Sequence, residues 1–129
     1  MLGNFLSERS GGQIMARQTP RVSCDRLYDP RSTADGIRLD STEWWAWLAA
    51  PTTTSFAYPC FDPSVGYIVG FVTVRKERRQ RGGAYWVAYR RIDGQLRKAY
   101  LGAAQAVTAE RLAVIATAFQ RKGVVHTDA

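Results

Sequence analysis

The alternation of apolar and polar positions is clearest between residues 67 and 101, where it predicts three β-strands. Tyr67 to Arg75 (Tyr-Ile-Val-Gly-Phe-Val-Thr-Val-Arg) is dense in the β-branched and aromatic residues that suit a pleated, half-buried surface. Ala84 to Arg91 and Gln95 to Leu101 follow, joined by Asp93-Gly94, a dipeptide fitted to the positive φ angles of a two-residue hairpin turn. Counting outward from that turn pairs Ile92 with Gln95, Arg91 with Leu96, Tyr89 with Lys98, Val87 with Tyr100 and Trp86 with Leu101. One face then carries Trp86, Ala88, Ala99 and Leu101, with Arg90 and Arg97 near the turn. The other carries Tyr85, Val87, Tyr89, Arg91, Leu96, Lys98 and Tyr100.

Helical spacing appears twice. Leu112, Ile115, Ala116 and Phe119 form an apolar stripe behind Thr108 as cap, with Arg121, Lys122 and Gly123 at the far end; this helix covers the first face. A shorter helix, Thr42 to Ala49, opens on Asp40-Ser41-Thr42-Glu43, where Asp40 is the expected cap and Glu43 closes a capping box; Pro51 ends it. Its Trp44, Trp47 and Leu48 share one face and read as core, with Trp45 at the edge. Thr52 to Pro63 is rich in Thr, Ser and Pro and admits one short strand at Ser55 to Tyr58.

Met1 to Asp35 mixes Gly, Ser, Arg and Pro without apolar periodicity. The expected organisation is a flexible basic arm over 1–35, a single domain over 36–122 and a frayed tail over 123–129, with Met15 an alternative start. The expected fold is α+β: a three-stranded antiparallel sheet with a C-terminal helix packed on one face, plus the short Trp-rich N-terminal helix.

Composition narrows the chemistry. Over 129 residues, 46% are hydrophobic, enough for one small core. Cys24 and Cys60 lack metal-ligand spacing and His126 is the sole histidine, so neither a metal centre nor a disulfide framework is expected. There is no apolar run of membrane-spanning length and no signal-peptide core, which points to a cytoplasmic protein without a membrane partner. No carboxylate cluster, Gly-rich phosphate loop or nucleophile with an adjacent base is evident, so no enzymatic activity and no cofactor are expected.

Charge changes the picture most. Eighteen Lys and Arg face eleven Asp and Glu, a net charge of +7. Residues 75 to 98 hold nine basic and two acidic residues, so this one stretch contains the whole excess. Concentrated on a sheet and its connecting loop, that charge has the form of a footprint for phosphates. A bland alternative is a solvated sheet face whose Lys and Arg guard against aggregation while the rings cover their stems. Solubility, however, does not call for large rings beside the cations, whereas sugar, methyl and base contacts do. The candidate interface residues are Arg75, Lys76, Arg78, Arg79, Arg81, Tyr85, Tyr89, Arg91, Lys98 and Tyr100.

The motifs Tyr85 to Arg91 and Arg97 to Gly102 carry a resemblance. Together with Trp47-Leu48, Ser55 to Tyr58, Thr73 to Glu77 and Thr108 to Leu112, they are similar to a segment at the N-terminus of LuxR/MalT-type bacterial transcriptional regulators, over about residues 40 to 119. The ATPase and helix-turn-helix regions of those regulators are absent. More distantly, the strand-strand-hairpin-strand-helix order resembles the DNA-binding domain of plant ethylene-response factors and the arm domains of tyrosine recombinases. That likeness implies that Arg75, Tyr89, Arg91, Lys98 and Tyr100 face DNA, although Tyr89 stands where the plant domain often has an acidic residue. The expected function is double-stranded DNA binding by a nucleoid-associated protein, as a transcriptional regulator or recombination accessory factor. The alternatives are an RNA-binding module, or a protein-interaction domain whose partner docks at Trp44, Trp45 and Trp47.

Overall fold

The computed structural model describes residues 19–31 and 35–120. Its strands are β1 (Arg21–Ser23), β2 (Arg26–Tyr28), β3 (Ile37–Arg38), β4 (Ser55–Asp62), β5 (Tyr67–Arg78), β6 (Ala84–Ile92) and β7 (Gln95–Gly102). Helix α1 (Thr42–Ala49) lies between β3 and β4; a 3-10 turn (Ala104–Ala106) and helix α2 (Ala109–Gln120) follow β7. All seven strands join one sheet in the order β3-β2-β1-β4-β5-β6-β7. Every junction is antiparallel except β1 with β4, which run parallel. The expected three-stranded sheet is therefore corrected to a seven-stranded mixed sheet with two helices.

Of the four additional strands, three have a physical reason to escape sequence reading and the fourth, expected at Ser55 to Tyr58, is longer than expected. β1, β2 and β3 span two or three residues each, too few for alternation to show. β1 and β2 also lie inside the stretch read as a flexible arm, yet Val22 and Leu27 are fully buried. β4 runs twice as far as Ser55 to Tyr58 because it tolerates Pro59: β1 pairs with it only at Ala57, so beyond that point one side of β4 has no ladder for the proline to interrupt. Residues 1–18, which include about half of the expected arm and Met15, residues 32–34 and the tail from 121 lie outside the described residues.

Both helices pack on the same face, burying one core. Trp44 stacks on Trp47 at 5.8 Å, Phe56 meets both edge-on at 5.5 and 5.8 Å, and Trp86 closes the group 5.6 Å from Phe56. Leu112, Ile115, Ala116 and Phe119 pack over it from α2. Each such large side chain, fully buried, contributes ~1.5–3 kcal/mol of transfer free energy. The indole N–H groups of α1 that enter the core are satisfied: Trp44 Nε1 donates to Val107 O at 2.9 Å and Trp47 Nε1 to Asp29 Oδ2 at 3.0 Å.

Helix α1 has the expected bounds but a different cap. Asp40 sits at φ 64, outside the extended geometry an N-cap needs, and Ser41 Oγ accepts from Trp44 N at 3.1 Å instead. Asp40 Oδ1 accepts from Ala109 N at 3.0 Å, joining the start of α1 to the start of α2, where Thr108 Oγ1 also accepts from Arg111 N. In the β6–β7 hairpin, Asp93 and Gly94 take φ 52 and 80, and the register runs from Ile92↔Gln95 to Val87↔Tyr100. It then slips: Trp86 pairs with Gly102, not Leu101. Gly102 holds φ +112, a conformation that costs glycine least.

Candidate nucleic-acid interface

The sheet face away from the helices is uncovered among the described residues. Arg75 and Glu77 from β5, Tyr85, Val87, Tyr89 and Arg91 from β6, and Leu96, Lys98 and Tyr100 from β7 share it, because the β6–β7 register and the β5–β6 pairs Glu77↔Tyr85, Arg75↔Val87 and Thr73↔Tyr89 bring them to one side. This face is built as a set of rings carrying cations. The Arg79 guanidinium lies 4.9 Å above the Tyr85 ring and 6.0 Å from that of Tyr100, to whose hydroxyl Nη2 donates. Arg75 and Lys98 stand on either neighbour strand of Tyr89, 5.9 and 5.8 Å from its ring. Further along the sheet Arg21 lies 5.2 Å over Phe71.

One carboxylate organises the group. Glu77 Oε2 accepts from the Tyr89 hydroxyl at 2.5 Å and Oε1 from that of Tyr85 at 3.3 Å. To reach Glu77, Tyr89 leans along β6 past Val87, which is 1% exposed although it lies outside the main core cluster. The hydrogen bond to Glu77, with burial next, pushes the Tyr89 phenol up to about 12 from its ordinary 10.0. Tyr89 is therefore a neutral, oriented ring at any physiological pH.

The structure brings together Arg75, Arg79, Tyr85, Tyr89, Arg91, Lys98 and Tyr100 as the sequence predicts, with Arg81 exposed in the loop beside them. It places Lys76 and Arg78 differently. Both alternate to the helix-bearing side of β5, and Lys76 is half-buried, its Nζ donating to Ala50 O at 2.9 Å and lying 5.5 Å from the Trp86 ring. Desolvation by burial, with Arg78 adding repulsion, holds its ammonium below the usual lysine value. Lys76 thus fastens the end of α1. Trp44 and Trp47 are in the core, leaving only Trp45 partly accessible to a partner.

Glu77 and Arg21 are members of this surface that sequence reading missed. The β5–β6 connection spans residues 79 to 83, too long to set a register as Asp93-Gly94 does, so the position of Glu77 opposite Tyr85 had no local signal. Arg21 had none either, since β1 is three residues long.

Among the described residues no group of three or more metal-ligating side chains is present, both cysteines are free thiols, and no helix is long and apolar enough to cross a membrane. Searches against protein-family models, curated proteins and solved structures find no match.

Proposed function

We infer that the open sheet face binds double-stranded DNA by its phosphate backbone. The observation that carries this reading is the mounting of Arg75, Arg79 and Lys98 on Tyr85, Tyr89 and Tyr100, around a single carboxylate whose two oxygens are already engaged. Cations set against these rings leave bases less π-surface on which to stack, which disfavours the single-stranded RNA alternative. Cations held by rings and facing outward suit phosphate oxygens, as contacts that position a duplex without reading its sequence. The width of the sheet supports the same mode. Strands about 4.8 Å apart make a seven-stranded sheet some 29 Å across, against a major groove of about 12 Å, so the face lies along the backbone instead of entering the groove.

The test is a charge-matched pair of variants in a duplex-binding assay. Arg75→Ala/Lys98→Ala removes two positive charges from the face, and Ala113→Glu/Thr117→Glu changes the charge equally on the solvent side of helix α2. The first should weaken binding at least tenfold and the second only slightly. Equal losses would show that net charge alone attracts DNA and that the face has no special part.

A further inference from the structure

Strands β5 and β6 pair from Arg78↔Ala84 to Thr73↔Tyr89 and then part, whereas β4 and β5 stay paired as far as Asp62↔Tyr67. The β4–β5 hairpin therefore separates from β6, which continues to Ile92 beside β7, and goes on as a two-stranded arm whose root is held by the Gln120 amide of α2 donating to Phe61 O at 3.0 Å. Gly70 makes room at the parting for the Arg90 guanidinium, since a Cβ there would stand 2.6 Å from Nη2.

The tip of the arm is firmly built. Asp62 Oδ1 accepts from the backbone N–H and hydroxyl of Ser64 at 2.9 and 2.7 Å, Asp62 O accepts from Val65 and Gly66 at 3.2 and 2.8 Å, and Gly66 holds φ +84. What this tip shows to solvent is apolar: Phe61 is 55% exposed, Val65 47%, Tyr67 62% and Ile68 48%. A cluster of large apolar side chains left open in this way marks a contact surface.

The arm is continuous with the basic face, because Phe71 on the same strand lies under Arg21. A polyanion drawn to the cations thus meets the arm, and the tip's one carboxylate, Asp62, is turned into its own loop. Proteins that bend DNA from its minor groove frequently insert apolar side chains as a wedge that partly unstacks a base step.

Resting on the DNA-binding reading above, we propose that the β4–β5 arm is a wedge, pressing Phe61, Val65, Tyr67 and Ile68 against the base stack of a bound duplex and bending it. The experiment is resonance energy transfer between dyes at the two ends of a random-sequence duplex. The native chain should bend it by about 20–90°. Val65→Ser/Tyr67→Ser should bind with the same salt dependence and an unchanged melting temperature but leave the duplex nearly straight, and Phe61→Ala should reduce the bend. A native complex with straight DNA, or a Val65→Ser/Tyr67→Ser complex bent as the native one is, overturns the proposal. So does a variant that keeps the bend but loses self-association in sedimentation, which assigns the arm to a second copy of the chain. Failure of the native chain to bind any duplex instead removes the DNA-binding reading itself.

Discussion

Glu77 and Asp29 show how single carboxylates set the properties of this molecule. Glu77 is the lone negative charge among Arg75, Tyr85 and Tyr89, and it works in two directions: it orients the rings and repels a phosphate. Glu77→Gln keeps an acceptor oxygen and deletes the charge, so it should tighten duplex binding about two- to fivefold, the ~0.4–1 kcal/mol of one exposed charge pair. Glu77→Ala should return the Tyr89 phenol toward its ordinary 10.0 from about 12, read as phenolate absorbance in an alkaline titration. Because the folded value is the raised one, the Tyr89 contribution to stability is full below pH 10 and is lost as pH rises through about 12.

Asp29 is buried. Desolvation would push its carboxyl up, but hydrogen bonds from the Trp47 indole and from Arg31, with the Arg31 charge, prevail and hold it below the ordinary 3.8. Its folded value being depressed, its stabilisation is present above the ordinary carboxylate range and is lost as pH falls through the lowered value. Asp29→Asn has one acceptor oxygen where two are used, so its amide N–H is turned toward either the Trp47 N–H or the Arg31 N–H groups and one set of donors is left unmatched, at about 1–3 kcal/mol. A lower melting temperature at neutral pH, with the gap narrowing in acid, is the expected outcome.

At the scale of elements, what the sequence discloses depends on how local the determinant is. Trp44, Trp47, Leu48 and the Leu112 to Phe119 stripe are helical periodicities, and Asp93-Gly94 is a turn whose φ angles enforce a register. All were legible. The β1, β2 and β3 strands exist because the large sheet accepts them: Leu27 is 0% exposed between Val22 and Ile37, an arrangement no window of two or three residues can announce. Leu27→Ala should accordingly cost ~2–5 kcal/mol in denaturant unfolding, whereas a residue of a flexible arm would cost nothing. The outer edge of the sheet is guarded as well. β7 carries Arg97 and Lys98, slips register next to Leu101, and has Tyr100 O occupied by Arg111 Nη2 at 3.0 Å, features that discourage a second sheet from adding there.

The molecule as a whole is a two-layer structure with its apolar and electrostatic assets on opposite faces of one sheet. The helices and four packed aromatic rings occupy one face, and the ring-mounted cations occupy the other. The candidate interface was legible to the extent that alternation along β6 and β7 sorts Tyr89, Arg91, Lys98 and Tyr100 from Trp86, Ala88, Ala99 and Leu101. It was not legible where it depends on β5, whose register is set by long-range pairing: Lys76 went to the helix side and Glu77 to the centre of the face. The central claim is that the cations of this face meet phosphates, and its most direct measurement is the salt dependence of duplex binding. With Arg21, Arg75, Arg79, Arg91 and Lys98 each displacing a counterion, log K against log salt should fall with a slope of about −4 to −5, reduced by about 2 in Arg75→Ala/Lys98→Ala. A slope near zero, or one unchanged in that variant, would contradict the account.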